Sequence, residues 1–245
     1  MLDWMTSLSD TPHCSHRNHT ELPLTSDCRG SFDVLAHALA QCHVDRVTGA
    51  LCVVGDVGGI FHLRDGAVVA VESPGSPGAK ELLPHSGSAE AQVVAAAAVQ
   101  DGAFAIAAGA VERCVLGESI DVPSLFVPDG ADPDLLLTET ARRLDAVASL
   151  AFPLSPYRDR VVPARELESS TLTAKRREII EHATGRRSAR DIAFAVGRGL
   201  YPVTVEISRM LGEELLEIAP PETSFSFSQW GLGSLLPRVE PDRPS

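Results

Sequence analysis

The segment from Ser188 to Leu211 constrains the fold of this chain more than any other stretch. Its first part predicts a short helix with Ser188 as N-cap and Asp191 three residues later, a variant of the capping box. Gly197 permits a sharp turn, and a second helix follows. Apolar residues recur at helical spacing in both helices, which predicts that the two pack around a shared core. The inward-facing side chains are expected to be Ile192, Ala193, Val196, Leu200, Val203, Ile207 and Leu211.

A third predicted helix precedes this pair, and a β-ribbon is predicted to follow it. Residues 173–185 have helical character and are expected to end at Gly185, while Pro202 is expected at the first position of the last helix. Residues 216–220 and 225–230 are predicted to form two strands. Helix, helix, glycine-containing turn, helix and ribbon is the order of a winged helix-turn-helix. We therefore predict this fold for residues 173–229.

The run Arg187-Ser188, Ile192-Ala193 and Gly197 resembles a motif of actinobacterial winged-helix regulators. These include the winged-helix component of the conservon signalling operons. The resemblance implies a regulatory protein rather than an enzyme.

The distribution of charge bears on the partner of this predicted domain. The formal net charge is −12, which argues against nucleic acid or an anionic membrane binding to the whole surface. Residues 173–210 nevertheless carry eight basic and four acidic residues, a local +4. The exposed face of the last helix is predicted to carry Thr204, Glu206, Ser208 and Arg209. The candidate DNA-contacting residues are Arg176, Arg177, Arg186, Arg187, Arg190, Arg198, Thr204, Ser208 and Arg209.

The same cations permit a second interpretation. They could form a solvated face that pairs with the acidic N-terminal half, in which case the winged helix would dock on protein. Because one cation beside one carboxylate is a poor face for reading bases, DNA contact and protein docking both stay open at this point.

The N-terminal half predicts a helix over 31–45, followed by a sheet. Asp65-Gly66 lies between two alternating apolar runs, which is the strongest short signal for a β-hairpin. Two helical stretches follow, at 79–83 and 88–100. Residues 101–117 repeat the apolar and glycine frame of the first hairpin and are predicted to form a second hairpin of the same sheet. A helix is predicted near 132–152, with Asp129, Asp132 and Asp134 at its solvated start.

Several short motifs of this half resemble the PATAN domain, a bacterial signalling module. The resemblance covers roughly residues 28–150, although the aromatic residue usual shortly before the later glycine is absent here. It implies a sensor or interaction domain without agreed catalytic residues, so no catalytic residue is assigned. The matching residues are Thr48-Gly49-Ala50-Leu51, Gly59-Ile60-Phe61, Asp65-Gly66-Ala67-Val68-Val69-Ala70 and Gly102-Ala103-Phe104-Ala105-Ile106.

The chain has none of the common catalytic motifs in a suitable context, so neither a catalytic residue nor a cofactor is predicted. The cluster His13, Cys14, His16 and His19 is interpreted as part of a flexible tail, and no metal site is predicted. The five cysteines are widely spaced and contain no CxxC pair. A framework of disulfides is therefore not expected, and the cytoplasm is the predicted compartment.

The sequence thus predicts an α+β protein with a small antiparallel-sheet and helix N-terminal domain and a C-terminal winged helix-turn-helix. The predicted parts are a disordered tail (1–29), a PATAN-like domain (30–152), a linker (153–172), the winged helix (173–229) and a flexible tail (230–245). The predicted function is a cytoplasmic transcriptional regulator that binds double-stranded DNA. The alternative is a signalling adaptor whose winged helix binds a GTPase, kinase or sigma-type factor. Self-association through the 132–152 helix is left open, and no membrane association is expected.

Overall fold

The computed structural model describes residues 20–21, 31–85, 91–117, 121–165 and 172–220, which form an α+β fold. The predicted N-terminal tail apart from residues 20–21, the predicted strand 225–230 and the predicted C-terminal tail lie outside these ranges.

An antiparallel sheet organises the N-terminal half. Its strands are β1 (Thr20–Glu21), β2 (Gly49–Gly55), β3 (Gly59–Arg64), β4 (Ala67–Glu72) and β5 (Val111–Gly117), in the order β1-β5-β2-β3-β4. Helix α1 (Ser31–Val44) precedes β2, as the apolar spacing predicts.

The turn between β3 and β4 confirms the hairpin predicted at Asp65-Gly66. Both residues have positive φ, 50° for Asp65 and 78° for Gly66, as the tight hairpin turn requires. The Gly66 N–H donates to the carbonyl of Val47 at 2.9 Å, which ties the turn to the segment after α1.

The second predicted hairpin is wrong for its first half. Helix α3 runs from Ala91 to Ala108, and only residues 111–117 form a strand. The alternation that suggested a strand comes largely from alanine, which is also the best helix former. Because Asp101 to Ile106 are all buried, this part of the helix shows no polar stripe with a period of 3.6 residues.

Helix α3 is also apolar enough in length and composition to pass a test for a membrane span, the one such helix in the described ranges. It lies inside the fold, with most of its residues buried, as the core helix of a soluble protein does.

One face of the sheet is covered by α1 and α3, and α4 (Pro133–Ala148) packs against both of these helices. Between α2 (Ala79–Leu82) and α3, residues 83–85 form a short 3-10 turn. Helix α4 begins with Asp132 as N-cap, whose carboxylate accepts from the N–H groups of Asp134 and Leu135, and this confirms the predicted helix start. The shared core includes Leu35, Leu39, Leu51, Phe61, Leu63, Ile106 and Leu136.

The C-terminal part consists of β6 (Val161–Pro163), α5 (Ala174–His182), α6 (Ala189–Val196), α7 (Leu200–Gly212) and β7 (Leu216–Ile218). Strand β7 pairs with β6, which comes from the segment predicted as a linker. That segment is rich in proline and charge, but Leu154 and Val161 within it are buried in the C-terminal core. Helix α7 begins at Leu200, so Pro202 is its third residue and the predicted start at Pro202 is wrong.

Two cysteine thiols lie inside the N-terminal core. Cys42 and Cys114 are free and buried, and burial raises the pKa of Cys42 to about 11 and that of Cys114 to about 12. Cys52 is disulfide-bonded. The predicted reducing compartment rested on cysteine spacing alone, and it stays a prediction.

Replacing Gly66 with alanine is expected to lower the free energy of unfolding by about 2 kcal/mol, because a side chain is strained at positive φ. The added Cβ would also lie 2.7 Å from the His43 carbonyl oxygen. Urea unfolding measures the change. Gly117→Ala is the matched control, since its Cβ would meet nothing closer than 3.7 Å. Equal stability of the two variants would contradict this account of the turn.

Candidate functional site: the predicted recognition helix

The helix-turn-helix segment has the local geometry that its sequence predicts. Ser188 caps α6, and both hydrogen bonds of the capping box with Asp191 are present. Gly197 ends the helix in the left-handed conformation at φ 60°. The seven side chains predicted to face inward are all buried, so α6 and α7 pack as expected.

Helix α7 is buried over more of its circumference than the sequence predicts. Its apolar side, which includes Val203, Ile207 and Met210, lies in the core of the C-terminal part. Thr204 and Ser208, predicted to be exposed, are 0% and 3% exposed. The Thr204 hydroxyl donates to the Leu200 carbonyl, and the Ser208 hydroxyl donates to the Phe152 carbonyl, each at 2.8 Å. Short polar side chains beside an apolar stripe suggest a solvated edge, but other parts of the chain cover that edge here.

Asp101 on α3 holds the N-terminus of α7. Its carboxylate accepts from the N–H groups of Leu200 and Tyr201, the latter at 2.9 Å. These amides belong to the first turn of α7, where no carbonyl within the helix can reach them and the helix dipole favours a negative charge. Asp101 is therefore an N-terminal cap supplied from about 100 residues away.

The environment of Asp101 shifts the pKa of its carboxyl in both directions. The residue is 3% exposed, and this burial raises the pKa of the carboxyl above its usual value. The two backbone N–H groups and the charge of Arg143 act in the opposite sense.

Aromatic and polar contacts add to the contact that Asp101 makes between α3 and the C-terminal part, which is called the junction below. The Arg143 guanidinium lies 4.9 Å from the ring centre of Tyr201, and the ring of Phe104 meets Tyr201 edge to face at 5.3 Å. The hydroxyl of Tyr157 donates to the Ala105 carbonyl at 2.6 Å. Helix α3 thus contacts the N-terminal sheet on one side and the C-terminal part on the other.

The part of α7 that remains accessible is not basic. Its charged residues are Glu206 and Arg209, and Glu213 follows as the C-cap, which gives a net charge of −1. Arg176 bridges the two carboxylates, at 2.6 Å from Glu206 and 2.5 Å from Glu213, and Arg209 lies 3.7 Å from Glu206. The Arg176 guanidinium holds the pKa of Glu213 below its usual value. The accessible face is therefore largely self-neutralised.

The other candidate cations differ in how far they are engaged within the chain. Arg187 hydrogen-bonds His182, and Arg198 is half-buried with one guanidinium nitrogen that has no partner. Arg190 donates to the Pro74 carbonyl at 2.7 Å, pairs with Asp191 and stacks on Phe194. Among the described residues, only Arg177 and Arg186 of the nine candidates are exposed without a side-chain bond.

Sequence reasoning missed the importance of Asp101, although one signal was present. A single carboxylate in the middle of an apolar, alanine-rich helix needs a polar partner if it is buried. The partner could not be identified from the sequence, because it is the backbone of a helix elsewhere in the chain.

The described residues contain no group of three or more His, Cys, Asp or Glu side chains that could hold a metal ion. No family model matches the chain, no curated protein matches it, and no solved structure matches its fold. The resemblances to the PATAN domain and to winged-helix regulators therefore stay predictions.

Replacing Asp101 with asparagine is expected to lower the free energy of unfolding by about 1–3 kcal/mol. The amide NH₂ would face one of the two N–H groups, so a buried donor would lose its acceptor. Urea unfolding measures this loss. Asp145→Asn is the control, because Asp145 is exposed on α4. If the two variants are equally stable, the junction does not depend on Asp101.

The stabilisation by Asp101 should also depend on pH. Its pKa is raised from the usual 3.8, so the folded state retains a proton that the unfolded state loses as the pH rises above that value. The difference in stability between the wild type and Asp101→Asn is therefore expected to be largest at acidic pH. It should shrink as the pH rises through the raised pKa, and a difference that grows with pH would contradict this sign.

Proposed function

We propose that this protein is a non-enzymatic regulatory adaptor that acts through a protein partner, and that α7 does not read DNA in this arrangement. The main observation behind the proposal is the burial of α7 on two sides. The proposed compartment is the cytoplasm.

The first support is steric. A recognition helix enters the major groove with the side away from its own core, and that side must be free. Here Thr204, Ser208 and Tyr201 lie against other parts of the chain. Placing α7 deep in a groove would require the loss of the Asp101 cap and of the Arg143 contact to Tyr201.

The second support is electrostatic. Affinity for DNA comes mainly from cations that contact phosphates. The accessible face of α7 and its C-cap instead carry a net charge of −1, and with Arg176, which is bonded to Glu206 and Glu213, the net charge is zero. A protein surface of mixed charge suits this face better than a phosphate backbone does.

A DNA-binding regulator is the second candidate, and one observation favours it. Lys175, Arg177 and Arg186 are exposed on the C-terminal part and make no side-chain bond among the described residues. In this alternative, the structure is a closed form in which Asp101 holds the recognition helix away from DNA.

Binding to labelled duplex DNA separates the two functions. The measurement is fluorescence anisotropy at about 50 mM salt, where phosphate contacts are strong, on random-sequence and genomic fragments. For an adaptor, we expect no saturable binding by the wild type or by Asp101→Asn. A pull-down with the wild type should then recover a protein partner without nucleic acid.

If the protein is a DNA-binding regulator, the opposite result is expected. Opening the junction with Asp101→Asn should create DNA binding that the double substitution Arg177→Gln and Arg186→Gln abolishes. That result, or specific binding by the wild type, would overturn the adaptor proposal. Asp145→Asn is again the control, and circular dichroism must show that each variant is folded.

A further inference from the structure

We propose that residues 225–236 of this chain dock into an apolar groove at the junction of α3, α4 and residues 153–156. The inference goes beyond the proposed function and holds whether the partner is protein or DNA. The groove, called the junction groove below, has a volume of about 380 Å³. Its lining includes Phe104, Ala108, Leu144, Val147, Leu154 and Pro156.

The chemistry of the junction groove calls for an apolar occupant. Ser155 is the only lining residue with a polar side chain. Phe152, next to the lining residue Pro153, leaves 48% of its surface exposed. An aromatic side chain beside an open apolar groove marks a surface that is stabilised when another apolar segment covers it.

The segment 225–236 supplies such side chains. It contains three of the chain's twelve aromatic residues within six positions, and three leucines follow. It carries no charged residue, although the chain as a whole is 22% charged. Its apolar residues are Phe225, Phe227, Trp230, Leu232, Leu235 and Leu236.

The described chain ends close enough for this segment to reach the groove. The Ala219 N–H donates to the Arg160 carbonyl at 2.8 Å, and Arg160 follows the lining residue Pro156 by four positions. Four residues span at most about 14 Å, so the end of β7 lies within a short distance of the groove. Residues 221–224 provide a connection of similar length before Phe225.

A different position for the same segment is the edge of β7 that no strand of the described residues pairs with, where residues 225–230 would add a strand, as the ribbon of a winged helix does. In that position, the segment would not depend on the lining of the junction groove. The experiment must distinguish these two positions.

Fluorescence of Trp230 in the full-length chain provides the test. The chain has two tryptophans, and Trp4→Phe leaves Trp230 as the single reporter. We expect its emission to be blue-shifted and protected from acrylamide quenching. Ala148→Phe, at an exposed position that lines the groove, should fill the space, shift the emission to the red and abolish the protection.

Thr138→Phe is the matched control, because it places the same side chain at an exposed position of α4 outside the groove lining. It should leave the emission unchanged. Val147→Gln is a second variant that makes the groove polar, and circular dichroism checks that all variants are folded. Solvent-like emission before any groove substitution, or protected emission that neither groove variant changes, would overturn the proposal.

Discussion

The carboxylate of Asp101 at the first turn of α7 is the interaction on which the arrangement of the two halves depends. The free N–H groups of a helix N-terminus need acceptors wherever water is excluded. Asp101 supplies them from the middle of α3, so the same helix belongs to both hydrophobic cores. This arrangement requires α3 to lie close to the sheet on one side and to the start of α7 on the other, and glycines at both contacts make this possible. A Cβ on Gly102 would lie 2.8 Å from Val71, and one on Gly199 would lie 3.0 Å from the Asp101 carboxylate.

The packing of α7 against α3 determines which charged side chains remain available for partners. With α7 covered on two sides, its accessible face and C-cap retain two glutamates and one arginine, and Arg176 bridges both glutamates. Of the eight basic residues that gave the segment 173–210 its local +4, four are engaged within the chain, namely Arg176, Arg187, Arg190 and Arg209. Sequence charge alone therefore overstates the capacity of this segment to bind phosphate, because it does not show which cations are already paired.

The predictions that succeeded depend on local chemistry. The capping box at Ser188, the left-handed Gly197 and the Asp65-Gly66 turn each result from a few adjacent residues, and the structure confirms them. The predictions that failed required distant partners. Residues 101–108 form a helix because they are buried from several sides, and β6 forms because β7 pairs with it across more than 50 residues. For Thr204 and Ser208, a polar residue at the edge of an apolar stripe has the same sequence pattern whether water or another helix faces it.

The sequence by itself determined the fold class, the positions of most helices and strands, and the inward side chains of α6 and α7. These features follow from turn geometry, capping and periodicity, which act over a few residues. Only the tertiary structure decided that α7 is covered, that Asp101 caps it and that half of the basic residues of 173–210 are paired within the chain. The reason is physical: burial and charge pairing depend on which surfaces meet, and the surfaces that meet at Pro74 and Arg190 are more than 100 residues apart in the chain.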